Sequence, residues 1–226
     1  MRIIRPYSGP KTAVTIAVLT AIVFIALFLY VGVNQRKLIY NDSKLLAKEI
    51  SRKAAVETEK YLSSVLSVAK SMKQQSEIVK KLGGNRNQIQ TILRNGLEEN
   101  KNILATWTLW EPNTFDNKDF EFKNSDLYSS EGILGIGFFK YQNSVYYEKM
   151  TSADYLGPHY LAPKESLKEC ITEPYRYVYT GYKQVFYGTT ISIPIIEEGI
   201  FKGAVGVDVD LKTLRNNLNA VGLYES

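Results

Sequence analysis

Residues 103–110 read ILATWTLW, and the chain changes period there. Ala105, Trp107 and Leu109 alternate with Thr106, Thr108 and Trp110, the two-residue repeat of a half-buried strand. The sequence on the N-terminal side has a different rhythm. Residues 34–82 contain neither Pro nor Gly, and Leu46, Ile50, Ala54, Tyr61, Val65, Val68, Met72 and Val79 trace one stripe near a 3.5-residue period. This predicts one long helix, with its stripe set against the domain's own sheet, against a twin helix, or each at a different height. Gly83-Gly84-Asn85 stops it, and residues 88–99 predict a second helix with Ile89, Ile92, Leu93 and Leu97 inward.

Beyond Trp110 the signals are those of strands and turns. Pro112-Asn113 opens a polar loop over residues 111–130. GILGIGFFKY (132–141) and SVYYEKM (144–150) predict a hairpin turning at Gln142-Asn143. Residues 155–168 hold Pro158 and Pro163 and read as irregular. Three strand-like runs follow at 177–180, 184–195 and 201–209, the last two joined at Glu198-Gly199, and residues 211–220 close as a short helix. Helices first and an antiparallel sheet after them make an α+β domain.

Ahead of all this, residues 12–33 run TAVTIAVLTAIVFIALFLYVGV without a charge. At 1.5 Å per residue that helix spans roughly 33 Å, the depth of a hydrocarbon core. A cleaved signal would have a shorter apolar run and a small-residue cleavage site, and Val33-Asn34-Gln35-Arg36 is a poor one. A buried core helix would carry a polar stripe, which this run lacks. The expectation is an uncleaved single-pass anchor. Arg2, Arg5 and Lys11 favour a cytoplasmic N-terminus, against the weaker pull of Arg36 and Lys37, and place the rest outside. The expected divisions are a cytoplasmic tail (1–11), a transmembrane helix (12–33), a long extracytoplasmic helix (34–82) and a sensor lobe (83–226).

The net charge of +5 does not indicate nucleic acid. With the three N-terminal charges set aside, 25 basic side chains face 23 acidic ones, too balanced for an electrostatic footprint. One cysteine, Cys170, excludes an internal disulfide, and one histidine, His159, excludes a two-histidine zinc site. Gly132 to Gly137 lacks the Lys-Ser/Thr and the helix of a phosphate loop. Asp116-Asn117-Lys118-Asp119 lacks the spacing to a bidentate Glu that a calcium loop needs and reads as an ordinary turn. No metal, cofactor or catalytic residue is expected.

The order and spacing of TLWEPNTFDNKD (108–119), HYLAPK (159–164), TEPYRY (172–177), SIPI (192–195) and GAVGVDVDLKTL (203–214), behind an anchor and a long helix, resemble a known family. It is the double-Cache extracellular sensor region of bacterial methyl-accepting chemotaxis receptors and related histidine kinases. The resemblance implies a membrane-distal, PAS-like antiparallel sheet flanked by helices, with a pocket for small extracellular molecules. It also implies a second lobe, a second membrane helix, a HAMP linker and a cytoplasmic coiled coil beyond VGLYES (221–226). The chain therefore reads either as a piece truncated after the distal lobe or as a stand-alone lobe whose output lies on another chain.

In amino-acid-binding members an Arg and a Trp two residues later grip the ligand carboxylate, a Tyr follows, and an Asp of a G-x-D segment binds the ammonium. Tyr175 and Asp208 match the last two, while Gly157 and His159 fall at the Arg and Trp positions. Without a guanidinium a carboxylate loses its best partner. Asp208 with Tyr175, Tyr160, His159 and Trp107 suits an amine or another small polar metabolite instead. Each has a plainer reading: Tyr175 as a corner residue, Trp107 as core, His159 as a solvated loop side chain. Asp208, between Val207 and Val209, resists one, because a carboxylate on a buried strand needs a partner.

The function expected is ligand sensing by a membrane-anchored, dimeric receptor in chemotaxis or signal transduction. A membrane-tethered adaptor that binds no small molecule is the alternative. A thiol enzyme built on Cys170 and His159 is the weaker rival, since LKECIT (167–172) carries no nucleophile motif.

Overall fold

The computed structural model describes residues 9–179 and 185–219. Arg2, Arg5, Thr180, Gln184, Ala220 and the segment 221–226, all used above, lie outside them. The chain divides into two compact units, residues 1–53 and 54–226. Helix α1 (Pro10–Lys81) supplies the described part of the first and continues into the second. In the first unit the large apolar side chains from Val14 to Val33 are exposed, as are Leu38, Ile39, Tyr40, Leu45 and Leu46. By length and composition this helix is able to cross a membrane.

Within the second unit, α1 buries Tyr61, Val65, Ala69, Met72 and Ser76, spaced by four, four, three and four. The expected stripe is thus cut in two, with Tyr61, Val65 and Met72 packed into the core while Leu46 and Ile50 remain exposed. Asn85 starts α2 (Arg86–Glu98), its side chain accepting from the Gln88 N–H while Gln88 reaches back to the Asn85 N–H. Ile89, Leu93 and Leu97 of α2 are fully buried, as their spacing requires.

The sheet has the order β3-β2-β1-β7-β6-β4, with β5 also on β6, and every pairing is antiparallel. Its strands are β1 (Ala105–Trp110), β2 (Gly135–Tyr141), β3 (Ser144–Lys149), β4 (Cys170–Ile171), β5 (Tyr175–Tyr177), β6 (Phe186–Glu197) and β7 (Ile200–Asp210). Both expected turns form, with Gln142 and Asn143 at φ 47° and 63° and Glu198 and Gly199 at 52° and 78°.

One face of the sheet carries Trp110, Ile136, Phe138, Ile191, Ile193, Ile195, Val205, Val207 and Val209 into a single core with α1 and α2. The opposite face carries Ala105, Trp107 and Leu109. β1 is therefore not the half-buried strand that its alternation suggests, since all six residues are buried. Its polar positions survive because they are bonded: Thr106 donates to Leu93 O at 2.8 Å and Thr108 to Ala204 O at 2.9 Å.

Residues 155–168 also differ from expectation. A short 3-10 helix (Ser152–Leu156) leads into α3 (Pro158–Ser166), which ends at Leu167 with φ 54°. Pro158 sits at the first helical position, where its missing N–H has no partner to lose. The chain closes with α4 (Leu211–Asn219).

The loop after β1 is fixed by a buried charge. Arg86 at the start of α2 is 2% exposed and donates to both carboxylate oxygens of Asp116 at 2.8 Å, to Asp119 at 2.6 Å and to Gly132 O at 2.6 Å. Its guanidinium also lies over the rings of Phe122 and Tyr128. The segment 116–119 is thus an ion-pair clamp rather than the ordinary turn expected.

Candidate ligand pocket

The face of the sheet away from α1 and α2 is hollowed by small residues. Ala105 stands opposite Asp208, and Trp107 opposite both Gly137 and Gly206. A Cβ on Gly206 would sit 2.2 Å from the Trp107 ring, so only glycine lets the indole lie across β7. The resulting pocket is narrow and largely filled by its own side chains, leaving a cavity of about 20 Å³, room for about one water. Its walls include Trp107, Glu148, His159, Tyr175, Tyr177, Tyr179 and Asp208.

Asp208 is the centre of the hydrogen bonding. Thr190 donates to its Oδ1 at 2.7 Å, Trp107 Nε1 to the same oxygen at 3.1 Å, and the Tyr179 hydroxyl to Oδ2 at 3.1 Å. Because the Thr190 proton goes to Asp208, the Tyr175 hydroxyl, 2.6 Å from Thr190 Oγ1, is the donor in that contact. A carboxylate offers about four acceptor positions, and these three donors leave room on Oδ2. Burial pushes the Asp208 carboxyl above its ordinary range, against the pull of Thr190, His159, Trp107 and Tyr179. Burial, with the Asp208 charge behind it, pushes the Tyr175 and Tyr179 hydroxyls up as well, which keeps both protonated as donors.

The rings are set by one another. Tyr179 stacks on Phe139 at 4.1 Å and meets Tyr177 edge-on at 4.9 Å. His159 is not a solvated loop residue: it is 6% exposed near the start of α3, edge-on to Trp107 at 5.1 Å and parallel to Tyr175 at 6.3 Å. Gly157 makes room for it, since a Cβ there would lie 2.3 Å from the imidazole.

The structure therefore brings Trp107, His159, Tyr175 and Asp208 to one pocket, and leaves Tyr160 out. Tyr160 is fully buried in a neighbouring cluster with Leu109, Ile133 and Ala204, and its hydroxyl donates to Glu111 Oε1 at 2.8 Å. Tyr177, Tyr179 and Glu148 were missed. YRYVY (175–179) carried a signal for the first two, because its tyrosines repeat every second residue. Cys170, at the β4 edge, does not line the pocket, and burial raises its thiol.

With this geometry in view, the comparisons are specific. Residues 89–216, more than half of the chain, match the family described as methyl-accepting chemotaxis protein-like, first PDC sensor domain. The chain belongs to this family. The extracellular domain of mmHK1S-Z3, described as a histidine kinase, is 25% identical with a TM-score of 0.64, over 75% of this chain and 60% of that one. Methyl-accepting Chemotaxis protein X is 23% identical with a TM-score of 0.67, over 82% of this chain and 67% of that one. The periplasmic sensory domain of the Campylobacter jejuni chemoreceptor Tlp1 is 14% identical with a TM-score of 0.57, over 73% and 59%. No curated protein matches. The matched part thus spans about 60% of the extracellular domain of mmHK1S-Z3. The expected α+β sensor fold and its kinship with chemoreceptor and histidine-kinase sensor regions both hold, which puts this PDC sensor domain among the sensing modules of signal transduction.

Proposed function

We propose that this PDC sensor domain detects a small organic cation, an amine, outside the cell and binds it without turning it over. The observation that carries the reading is the composition of the pocket wall. Asp208 and Glu148 stand among Trp107, His159, Tyr175, Tyr177 and Tyr179, and among the described residues no Lys or Arg lines it. Ring faces and a partly desolvated carboxylate attract a cation by the same electrostatics. A carboxylic acid would meet two acids and no guanidinium. In this reading residues 12–33 anchor the chain in the cell membrane in a single pass and hold the lobe outside. Two copies pair along the exposed apolar residues Leu38, Leu45, Leu46 and Val56 of α1.

The test is a thermal-shift series on the full chain in mild detergent. Amines should raise the melting temperature, because a ligand that binds only the folded state stabilises it. Organic acids of similar size should not. Asp208→Asn should abolish the amine response while leaving the chain folded. A response to carboxylic acids alone would overturn the cation reading, and none to either class would favour a tethered adaptor.

A further inference from the structure

The pocket contains one polar group that the fold itself does not use. His159 makes no hydrogen bond to any described residue, and its Nδ1 is fully enclosed without a partner. Buried polar atoms are normally bonded, so an enclosed imidazole in a pocket wall requires an explanation. Its position is not accidental packing, for Gly157 clears the space that the ring occupies and Trp107 and Tyr175 hold it in place.

We infer that His159 is the specificity residue of this pocket: Nε2, the ring nitrogen that is not enclosed, accepts an N–H of the bound ammonium, so that the site selects amines bearing an N–H over quaternary ammoniums. The inference rests on the cation reading above and adds to it. Aromatic faces and a carboxylate alone attract a quaternary ammonium as well as a protic one. An acceptor nitrogen rewards only the protic cation, and the remaining acceptor position on Asp208 does the same.

A second consequence concerns protons. The imidazole accepts only while neutral, and an imidazolium would both lack the lone pair and repel the ligand, so proton and amine compete for the site. The charged and titratable groups around the ring come from several elements. Asp208 on β7 and Asp154 on the 3-10 helix favour the imidazolium, Tyr175 on β5 stacks on it, and Glu148 on β3 lines the same pocket. Burial outweighs the two aspartates and lowers the imidazole below its ordinary value. The start of α3 acts in the same direction.

The test is calorimetric titration of the full chain in mild detergent with methylammonium and tetramethylammonium. At pH 7.5 methylammonium should bind at least about tenfold more tightly, the gain expected of a charge-assisted hydrogen bond. Two substitutions separate the effects. His159→Phe keeps a ring and removes the acceptor, and should reduce the preference to what the Asp208 oxygen alone confers. His159→Gln keeps an acceptor that does not titrate, and should retain the preference while the fall in methylammonium affinity below pH 6.5 becomes shallower. What remains of that fall belongs to Asp208.

Three results would overturn the inference. They are equal binding of the two cations by the unaltered chain, a preference undiminished in His159→Phe, or a pH profile unchanged by His159→Gln. If both cations bind but are not distinguished, the cation reading stands and His159 loses its role. Binding of neither at any pH removes both.

Discussion

This lobe buries charge in two places and completes the accounting in only one. Around Arg86 two carboxylates, a carbonyl oxygen and two ring faces meet one guanidinium, and the cluster is closed. Around Asp208 three neutral donors meet one carboxylate, and the imidazole beside it has no hydrogen-bond partner among the described residues. The first arrangement ties the loop after β1 to α2; the second is stable only as a compromise. What separates structure from site in this fold is thus not burial of charge but whether the protein supplies the counter-charge itself.

The largest effect should come from breaking the closed cluster. Arg86→Ala strands Asp116 and Asp119 and should cost about 3–5 kcal/mol, as removing one partner of a buried pair does. Chemical unfolding of the full chain in detergent measures this, and a loss under 1 kcal/mol would mean that water reaches the cluster. Gly206→Ala tests the open site instead. The added carbon collides with the Trp107 ring, so the indole must leave Asp208. Stability should fall by about 1–3 kcal/mol, the usual cost of overpacking, and amine binding should be lost while the Arg86 cluster stays intact.

The finest contrast is in the sign of the pH response. Burial acts to raise Asp116, but the hydrogen bonds and charge of Arg86 outweigh it and hold the carboxyl below its ordinary value. Its stabilisation is therefore present above about pH 4 and lost as the pH falls through the depressed value. Asp208 is raised, so its contribution is present at low pH and lost as the pH rises through its elevated value. Melting curves between pH 3 and pH 8 should show Asp116→Asn reducing the acid-induced loss. Asp208→Asn should instead stabilise the ligand-free lobe at pH 7. A shared sign for the two variants would show that the sites do not differ in kind.

Much of this was legible in the residues. The stop at Gly83-Gly84-Asn85 and the spacing of Ile89, Leu93 and Leu97 marked the second helix, Gln142-Asn143 and Glu198-Gly199 marked both hairpins, and Val207-Asp208-Val209 announced a carboxylate on a buried strand. The misreadings have physical causes. The alternation of β1 suggested one wet face because threonine looks polar in a sequence, yet Thr106 and Thr108 give their protons to nearby carbonyls. Pro158 and Pro163 looked like breakers, although proline at a first helical position starts a helix. Nothing near Arg86 in the chain betrays its partners, which lie 30 and 33 residues away. Tyr160, expected as a ring face for a cation, does not share the pocket with its neighbour His159, because successive helical residues face different ways.

One consequence of β1 is practical. The chain has two tryptophans, and this strand places them three residues apart on opposite faces. Trp107 looks into the pocket with its indole N–H on Asp208, whereas Trp110 is sealed in the helix-facing core against Phe115. The protein thus has two built-in fluorophores with separate duties. In Trp110→Phe the emission should follow occupancy of the pocket, and in Trp107→Phe it should follow only unfolding, so one instrument reads ligand and fold without any added dye.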